Sequence, residues 1–192
     1  MKTRDPQLFC RCTALIAIRR FVFKFGRLNL SLKKREIVAE LRRSLGEELN
    51  ALESVANQTR DEVGSSETKS EGKYDTRSTE ASYLARGQAW RIAELRQLSA
   101  WFGNFSIERS FESAEIGALV EVARGDELSK LLFVAPVGGL KCSIAVDGEQ
   151  RRVEVISQSS PMGSAMVGLL ADDGFEVESP KGPVDWDIIE VW

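Results

Sequence analysis

Between residues 32 and 60, apolar side chains recur at three- and four-residue steps: Val38, Leu41, Leu45, Leu49, Leu52, Val55 and Ala56. The intervening positions are mostly Glu, Arg, Lys and Ser, and no proline interrupts the run. This is the stripe of an amphipathic helix with one narrow apolar face. A second stripe follows at Leu84, Gln88, Ile92, Leu95, Leu98 and Phe102, with Trp101 beside it. Thr76 or Ser78 is placed to cap its start, and Gly103-Asn104 to stop it. The stretch from Asp61 to Thr76 has no apolar period and contains Gly64, Ser65, Ser66 and Gly72. Two helices joined by such a turn fold back as an antiparallel pair. Each arm would extend roughly 40 Å at about 1.5 Å per residue. Only one apolar seam is visible on each arm, which predicts a protruding coiled coil rather than helices laid along a sheet.

After Gly103 the period changes to two. Ile116 to Ala123, Leu131 to Pro136, Leu140 to Val146, Arg152 to Ile156, Phe175 to Glu178 and Val184 to Val191 read as short strands. Turn residues separate them, among them Arg124-Gly125-Asp126, Val137-Gly138-Gly139, Asp147-Gly148 and Pro180-Lys181-Gly182. The Asp147-Gly148 step is a hairpin signal. One short helix is predicted over Met162 to Leu170, with Ser159 or Ser160 as cap and Pro161 in the first turn. Its small residues Gly163, Ala165 and Gly168 suit close packing on a sheet, or direct contact with a partner. The fold class expected is α+β: a helical hairpin followed by a small antiparallel sheet with one short helix. The expected division is residues 1–31, a basic extension; 32–103, the hairpin; and 104–192, the sheet domain.

Composition narrows the chemistry. The 192 residues are 43% hydrophobic and 29% charged, the balance of a soluble globular protein. A net charge of −3 argues against a chain built to coat nucleic acid. There is no histidine, which removes Ser-His-Asp and Cys-His catalysis and the usual general base near neutral pH. Cys10, Cys12 and Cys142 are too few for a disulfide framework and read as unpaired thiols of a reducing compartment. Charge is unevenly spread. Residues 1–31 hold seven Lys/Arg against Asp5 alone, a net of +6, leaving −9 for the rest. Apolar runs in this segment are broken by Arg19 and Arg20 and are too short to span a membrane. A targeting segment or membrane-surface helix is one reading; an extension outside the folded domain is the expectation.

The turn of the hairpin carries Asp61, Glu62, Glu67, Glu71 and Asp75 among Arg60, Lys69, Lys73 and Arg77. An exposed polar turn is the common meaning of such a run. Carboxylates on the end of an arm can instead complete a metal site in a partner, since Mg²⁺ takes hard oxygen ligands.

Ser160-Pro161-x-Gly163-x-Ala165-x-x-Gly168, then Phe175-Glu176-Val177, Pro180-x-Gly182 and Ile188-Ile189-Glu190-Val191, resembles the C-terminal pattern of the GreA/GreB transcription elongation factors. The resemblance covers residues 32 to 191. It departs at Ala171-Asp172-Asp173-Gly174, where the family usually reads Val-Gly-Asp-Glu, and at Trp186, where a tyrosine is common. The segment Ser70 to Ala85 looks like a divergent Gre-like subfamily. The family's main branch reads Asp-Leu-x-Glu-Asn-Ala-Glu-Tyr at the tip. Aligning Tyr74 to that tyrosine without a gap puts Glu67 at the aspartate and Ser70 at the glutamate. With one residue deleted, Glu71 becomes the glutamate and Thr68 replaces the aspartate. Neither alignment keeps both carboxylates.

The resemblance implies an FKBP-like C-terminal domain that docks at the secondary channel of RNA polymerase, with Ser160, Pro161 and Gly163 at the partner-binding turn. It implies a coiled coil that enters the channel, where Glu67, Glu71 and Asp75 act at the polymerase active centre in cleavage of backtracked RNA. Glu67 and Glu71 would hold a Mg²⁺ shared with polymerase, which is two-metal chemistry and needs no histidine. The protein would then be a cytoplasmic, monomeric accessory factor, not an enzyme. It would meet DNA and nascent RNA only through the elongation complex and would not bind membrane. A non-catalytic channel regulator competing with cleavage factors, and a coiled-coil interaction adaptor, are the alternatives.

Overall fold

The computed structural model describes residues 34–58, 77–125, 129–146 and 149–192. Helix α1 runs through residues 34–58 and α2 through Arg77–Asn104. Six strands follow: β1 (Leu119–Ala123), β2 (Lys130–Ala135), β3 (Lys141–Val146), β4 (Glu149–Ser157), β5 (Gly174–Ser179) and β6 (Gly182–Val191). Between β4 and β5 lies the short helix α3 (Pro161–Met166). Among the described residues, no helix is long and apolar enough to cross a membrane.

The helices form a hairpin whose foot is locked into the sheet. Arg42 of α1 donates to the carbonyl of Phe102 at 2.6 Å, near the end of α2. Arg91, midway along α2, pairs with Glu48 at 2.9 Å, so α2 returns beside α1. Arg91 also reaches the carbonyls of Gly138 and Gly139, tying the hairpin to the β2–β3 connection. Below that point the stripe serves two partners at once. Ile37, Val38, Leu41, Leu45, Leu95, Leu98 and Phe102 share one buried cluster with Leu119, Leu131, Phe133, Leu140, Val153 and Val155 of the sheet domain. Phe102 stacks on Phe133 with centroids 5.5 Å apart, and Trp101 stacks on Phe105 at 4.9 Å. Farther out, Val55 and Leu84 are 44% and 61% exposed although both lie on the predicted seam. The hairpin thus protrudes only in its distal part. A single stripe reaches both partners because the wide base of the stripe faces the sheet as well as the neighbouring helix.

The strand order is β3-β4-β2-β1-β6-β5. Four of the pairings are antiparallel, but β2 and β4 run parallel, with Leu131 opposite Val153 and Val134 opposite Ile156. The sheet is therefore mixed where an antiparallel one was expected. Strands β3 and β4, consecutive in the chain, do pair antiparallel, yet the second strand of that pair, not the first, inserts beside β2. Turn chemistry sets which strands are joined and leaves open which of them meets a third strand.

The second face of the sheet has its own core: Phe111, Ala114, Val120, Val122, Leu132, Val134, Met166, Trp186 and Ile188. Helix α3 is shorter than the predicted Met162 to Leu170. Val167 leaves helical geometry at ψ 130°, and Gly168 takes φ +89°. Gly168 N–H then donates to Ala114 O at 2.8 Å, and Leu170 bridges to Ser113. The apolar Val167-Gly168-Leu169-Leu170 run looks helical by composition but is spent on this connection, which a left-handed glycine makes possible.

Among the described residues, two charged side chains are buried. Glu121 is 2% exposed and accepts from Arg151 at 2.8 Å and from the Ser129 hydroxyl. Lys34 is 4% exposed and donates to the carbonyls of Arg109 and Trp192, each at 3.1 Å. Its ammonium also sits 4.4 Å from the centroid of Phe111. Lys34 therefore pins the start of α1 to the end of the chain.

Candidate functional site

The turn from Ser157 to Leu170 is the part of the candidate site that the structure describes. Ser160 is the N-cap of α3: its hydroxyl accepts from Gly163 N–H at 3.1 Å and donates to Ser157 O at 2.7 Å. Pro161 follows at the first helical position, where its missing N–H costs nothing, and its ring is exposed. Gly163 is buried against the preceding backbone. A Cβ there would lie 2.0 Å from Ser157 O, so no other residue fits without moving the turn. Ser160 and Gly163 thus build the turn, and Pro161 is the member of the trio that it presents to solvent. Around it the same turn exposes Ser164, Val167 at 40% and Leu170 at 52%. Sequence reasoning missed Val167 and Leu170 as surface residues because it counted them within the helix.

Glu67, Glu71 and Asp75 lie outside the described residues, as does the rest of the turn between the helices. Among the described residues no group of His, Cys, Asp and Glu is arranged to hold a metal ion.

The distal part of α2 adds a feature the seam analysis passed over. Tyr83 is 68% exposed and Trp90 72% exposed, two helical turns apart on one side of the helix. The Trp90 indole donates to Glu94 at 3.2 Å. The available signal was the position of Trp90 off the apolar stripe, since large aromatics left outside a core are candidates for contact surfaces.

Electrostatics near the foot are shaped by burial. Desolvation, and then the Arg109 guanidinium, bring the Lys34 ammonium down to about 8. Cys142 is a free, buried thiol. Burial, and then the Glu40 carboxylate, push it up to about 11, so it is a protonated, unreactive core residue at neutral pH.

No family model matches the chain, and no curated protein matches it. Among solved structures it is similar to Gfh1 of Thermus aquaticus, at 19% identity and a TM-score of 0.31, covering 77% of this chain and 90% of that one. It is similar to Gfh1, a GreA factor homologue of Thermus thermophilus, at 15% identity and a TM-score of 0.30, covering 79% and 94%. It is also similar to the transcription elongation factor GreA/GreB of Nitrosomonas europaea, at 20% identity and a TM-score of 0.30, covering 54% and 89%.

Proposed function

We propose that this chain is an RNA polymerase-binding regulator of transcription elongation, which docks at the secondary channel and inserts its helical hairpin. The observation that supports this reading is a division of labour within the molecule. The foot of the hairpin is buried in the sheet's core, while its outer part leaves Val55, Leu84 and Trp90 exposed. A lever anchored at one end can deliver the far end to a site inside another body. The Ser160-Pro161-x-Gly163 turn is built for presentation: Ser160 and Gly163 hold it rigid, and Pro161 faces outward. Both parts follow the order of the resemblance described above.

In this reading the protein is an accessory factor, and polymerase performs the chemistry. Glu67 and Glu71, with Asp75, are the carboxylates proposed to act in cleavage of backtracked RNA. Carboxylates are the donors Mg²⁺ prefers, and a second ion would stabilise the attacking and leaving oxygens of the phosphodiester. Addition of the purified protein and Mg²⁺ to backtracked complexes with 3′-labelled RNA is expected to release short labelled fragments. Glu67→Ala with Glu71→Ala is expected to abolish release; unchanged release by that double variant rejects these residues.

A second reading has its own support, since neither of the two alignments of Tyr74 keeps both tip carboxylates of the main branch. It is a channel regulator without cleavage activity. Competition with an authentic cleavage factor, with no fragment release by this chain alone, selects it.

A further inference from the structure

We propose that the outer half of α2 carries a self-complementary face, through which two copies of this chain pair antiparallel with Trp90 at the crossing. The face is distinct from the seam that packs on α1. Tyr83, Arg86, Trp90, Ala93 and Gln97 follow one another at three- and four-residue steps, so they share one side of the helix. All five are exposed, Tyr83 at 68% and Trp90 at 72%. Gly87 and Glu94 flank the row, and a Cβ at Gly87 would meet nothing within 4 Å. Four residues past Gln97, Trp101 stacks on Phe105 and meets Phe133, which closes the row at the foot. The open stretch from Tyr83 to Gln97 is thus about 21 Å long at about 1.5 Å per residue.

Charge selects the occupant. Arg91 and Arg96 of α2 are engaged across the hairpin with Glu48 and Glu53. Arg86, one turn before Trp90, makes no ion pair among the described residues. Glu94, one turn after Trp90, accepts from the indole at 3.2 Å and from Arg91 at 3.4 Å, through a different oxygen each time. Both oxygens keep acceptor capacity. The row therefore holds one cation and one anion, placed symmetrically about the largest exposed ring. A nucleic acid or a partner of single charge would satisfy one of them and repel the other. A second copy satisfies both. With a two-fold axis at Trp90, Arg86 of each copy meets Glu94 of the other, Gly87 meets Ala93, and Tyr83 meets Gln97. A parallel pair would instead set Arg86 against Arg86 and Glu94 against Glu94, which is unfavourable.

The size of the face sets the strength of the pair. Tyr83 and Trp90 of two copies would together bury roughly 500 Å², given about 200 Å² for an aromatic side chain. With the small and polar neighbours added, the contact stays near the lower end for specific association, about 1,200 Å². The pair is therefore reversible and separates on dilution, where the resemblance implies a monomer throughout. Pairing covers the outer arm that the elongation reading sends into polymerase, so the paired form would be a store of inactive factor. That consequence rests on the proposed function; the pairing itself does not.

The test is sedimentation equilibrium of the full chain from about 1 μM to about 500 μM, the range of a weak contact. The mass is expected to rise from one chain toward two. Trp90→Ala should weaken pairing about tenfold or more, as loss of a central aromatic anchor does. Arg86→Glu and Glu94→Arg should each weaken it several-fold. An equimolar mixture of those two variants should pair more tightly than either alone, because every contact between them again joins opposite charges. Urea midpoints close to that of the parent, expected at exposed positions, show that the folded chains are being compared. A monomer at every concentration overturns the proposal. So does a dimer that Trp90→Ala leaves intact, or a mixture that pairs no better than its components. The measurement needs no polymerase, so a monomer leaves the elongation reading standing, and failure to bind polymerase leaves the pairing standing.

Discussion

At the scale of single residues, the informative ones are those whose neighbours leave no freedom. Gly163 is one, because its missing Cβ is what allows Ser157 O to approach. Gly163→Ala is expected to lower stability by about 1–3 kcal/mol, the usual cost of forcing volume into a filled site. Ser160→Ala removes a cap and should cost about 1 kcal/mol. Urea midpoints of the two variants measure both effects. Lys34 is another. Its folded pKa lies near 8, below the 10.5 ordinary for a lysine, because burial penalises the charged form. Between those values the unfolded chain holds the proton and the folded chain does not, so the unfolded state binds more protons. The penalty is thus fully present below pH 8 and is relieved as pH rises, so this group makes stability increase with pH by about 1 kcal/mol per unit. The stability difference between the parent and Lys34→Met, measured from pH 7.5 to 10, should show that slope. A flat difference rejects the assignment. The neutral amine keeps two N–H donors, enough for both carbonyls, so the contacts at Arg109 and Trp192 survive deprotonation.

At the scale of elements, the hairpin grades from core to solvent along one unbroken stripe. Phe102 is 1% exposed among aromatic rings, whereas Leu84, on the same stripe, is 61% exposed. Phe102→Ala should cost about 3–5 kcal/mol, and Leu84→Ala should stay within about 0.5 kcal/mol. Denaturant unfolding of the two variants tests this, and equal losses would mean that the outer hairpin is packed as firmly as its foot. Periodicity made both helices legible, because 3.6-residue spacing is a local property. It did not show where along the stripe the sheet lies, since a leucine facing a strand and one facing a helix look alike in sequence. The end of α3 was misplaced for a related reason. Val167 to Leu170 are apolar, and only the bond from Gly168 N–H to Ala114 O shows that they leave the helix.

At the scale of the whole molecule, the hairpin foot and the sheet share a single core, which makes the lever rigid at its base. The Ser160-Pro161-x-Gly163 turn lies on the other side of the sheet, packed with Met166 in the second core. A partner gripping that turn would therefore be held through the sheet to the base of the lever. Pro161→Ala, with Val167→Ser, should weaken polymerase binding several-fold while leaving the unfolding midpoint close to that of the parent. A binding isotherm with polymerase, beside a urea melt, separates loss of docking from loss of fold. An unchanged isotherm places the contact elsewhere.

Two helices, a run of six strands, a cap at Ser159 or Ser160 and a basic stretch over residues 1–31 were all legible in the sequence. All of these rest on local preferences: period, turn residues and charge counted along the chain. Folding adds what no segment shows: β4 lies parallel to β2, Lys34 and Glu121 are buried, and Val167 to Leu170 leave the helix to meet Ser113 and Ala114. Each of these depends on residues distant in sequence being brought together. Strand order is set by how two cores close on opposite sides of a sheet, and that competition leaves no mark on any one segment.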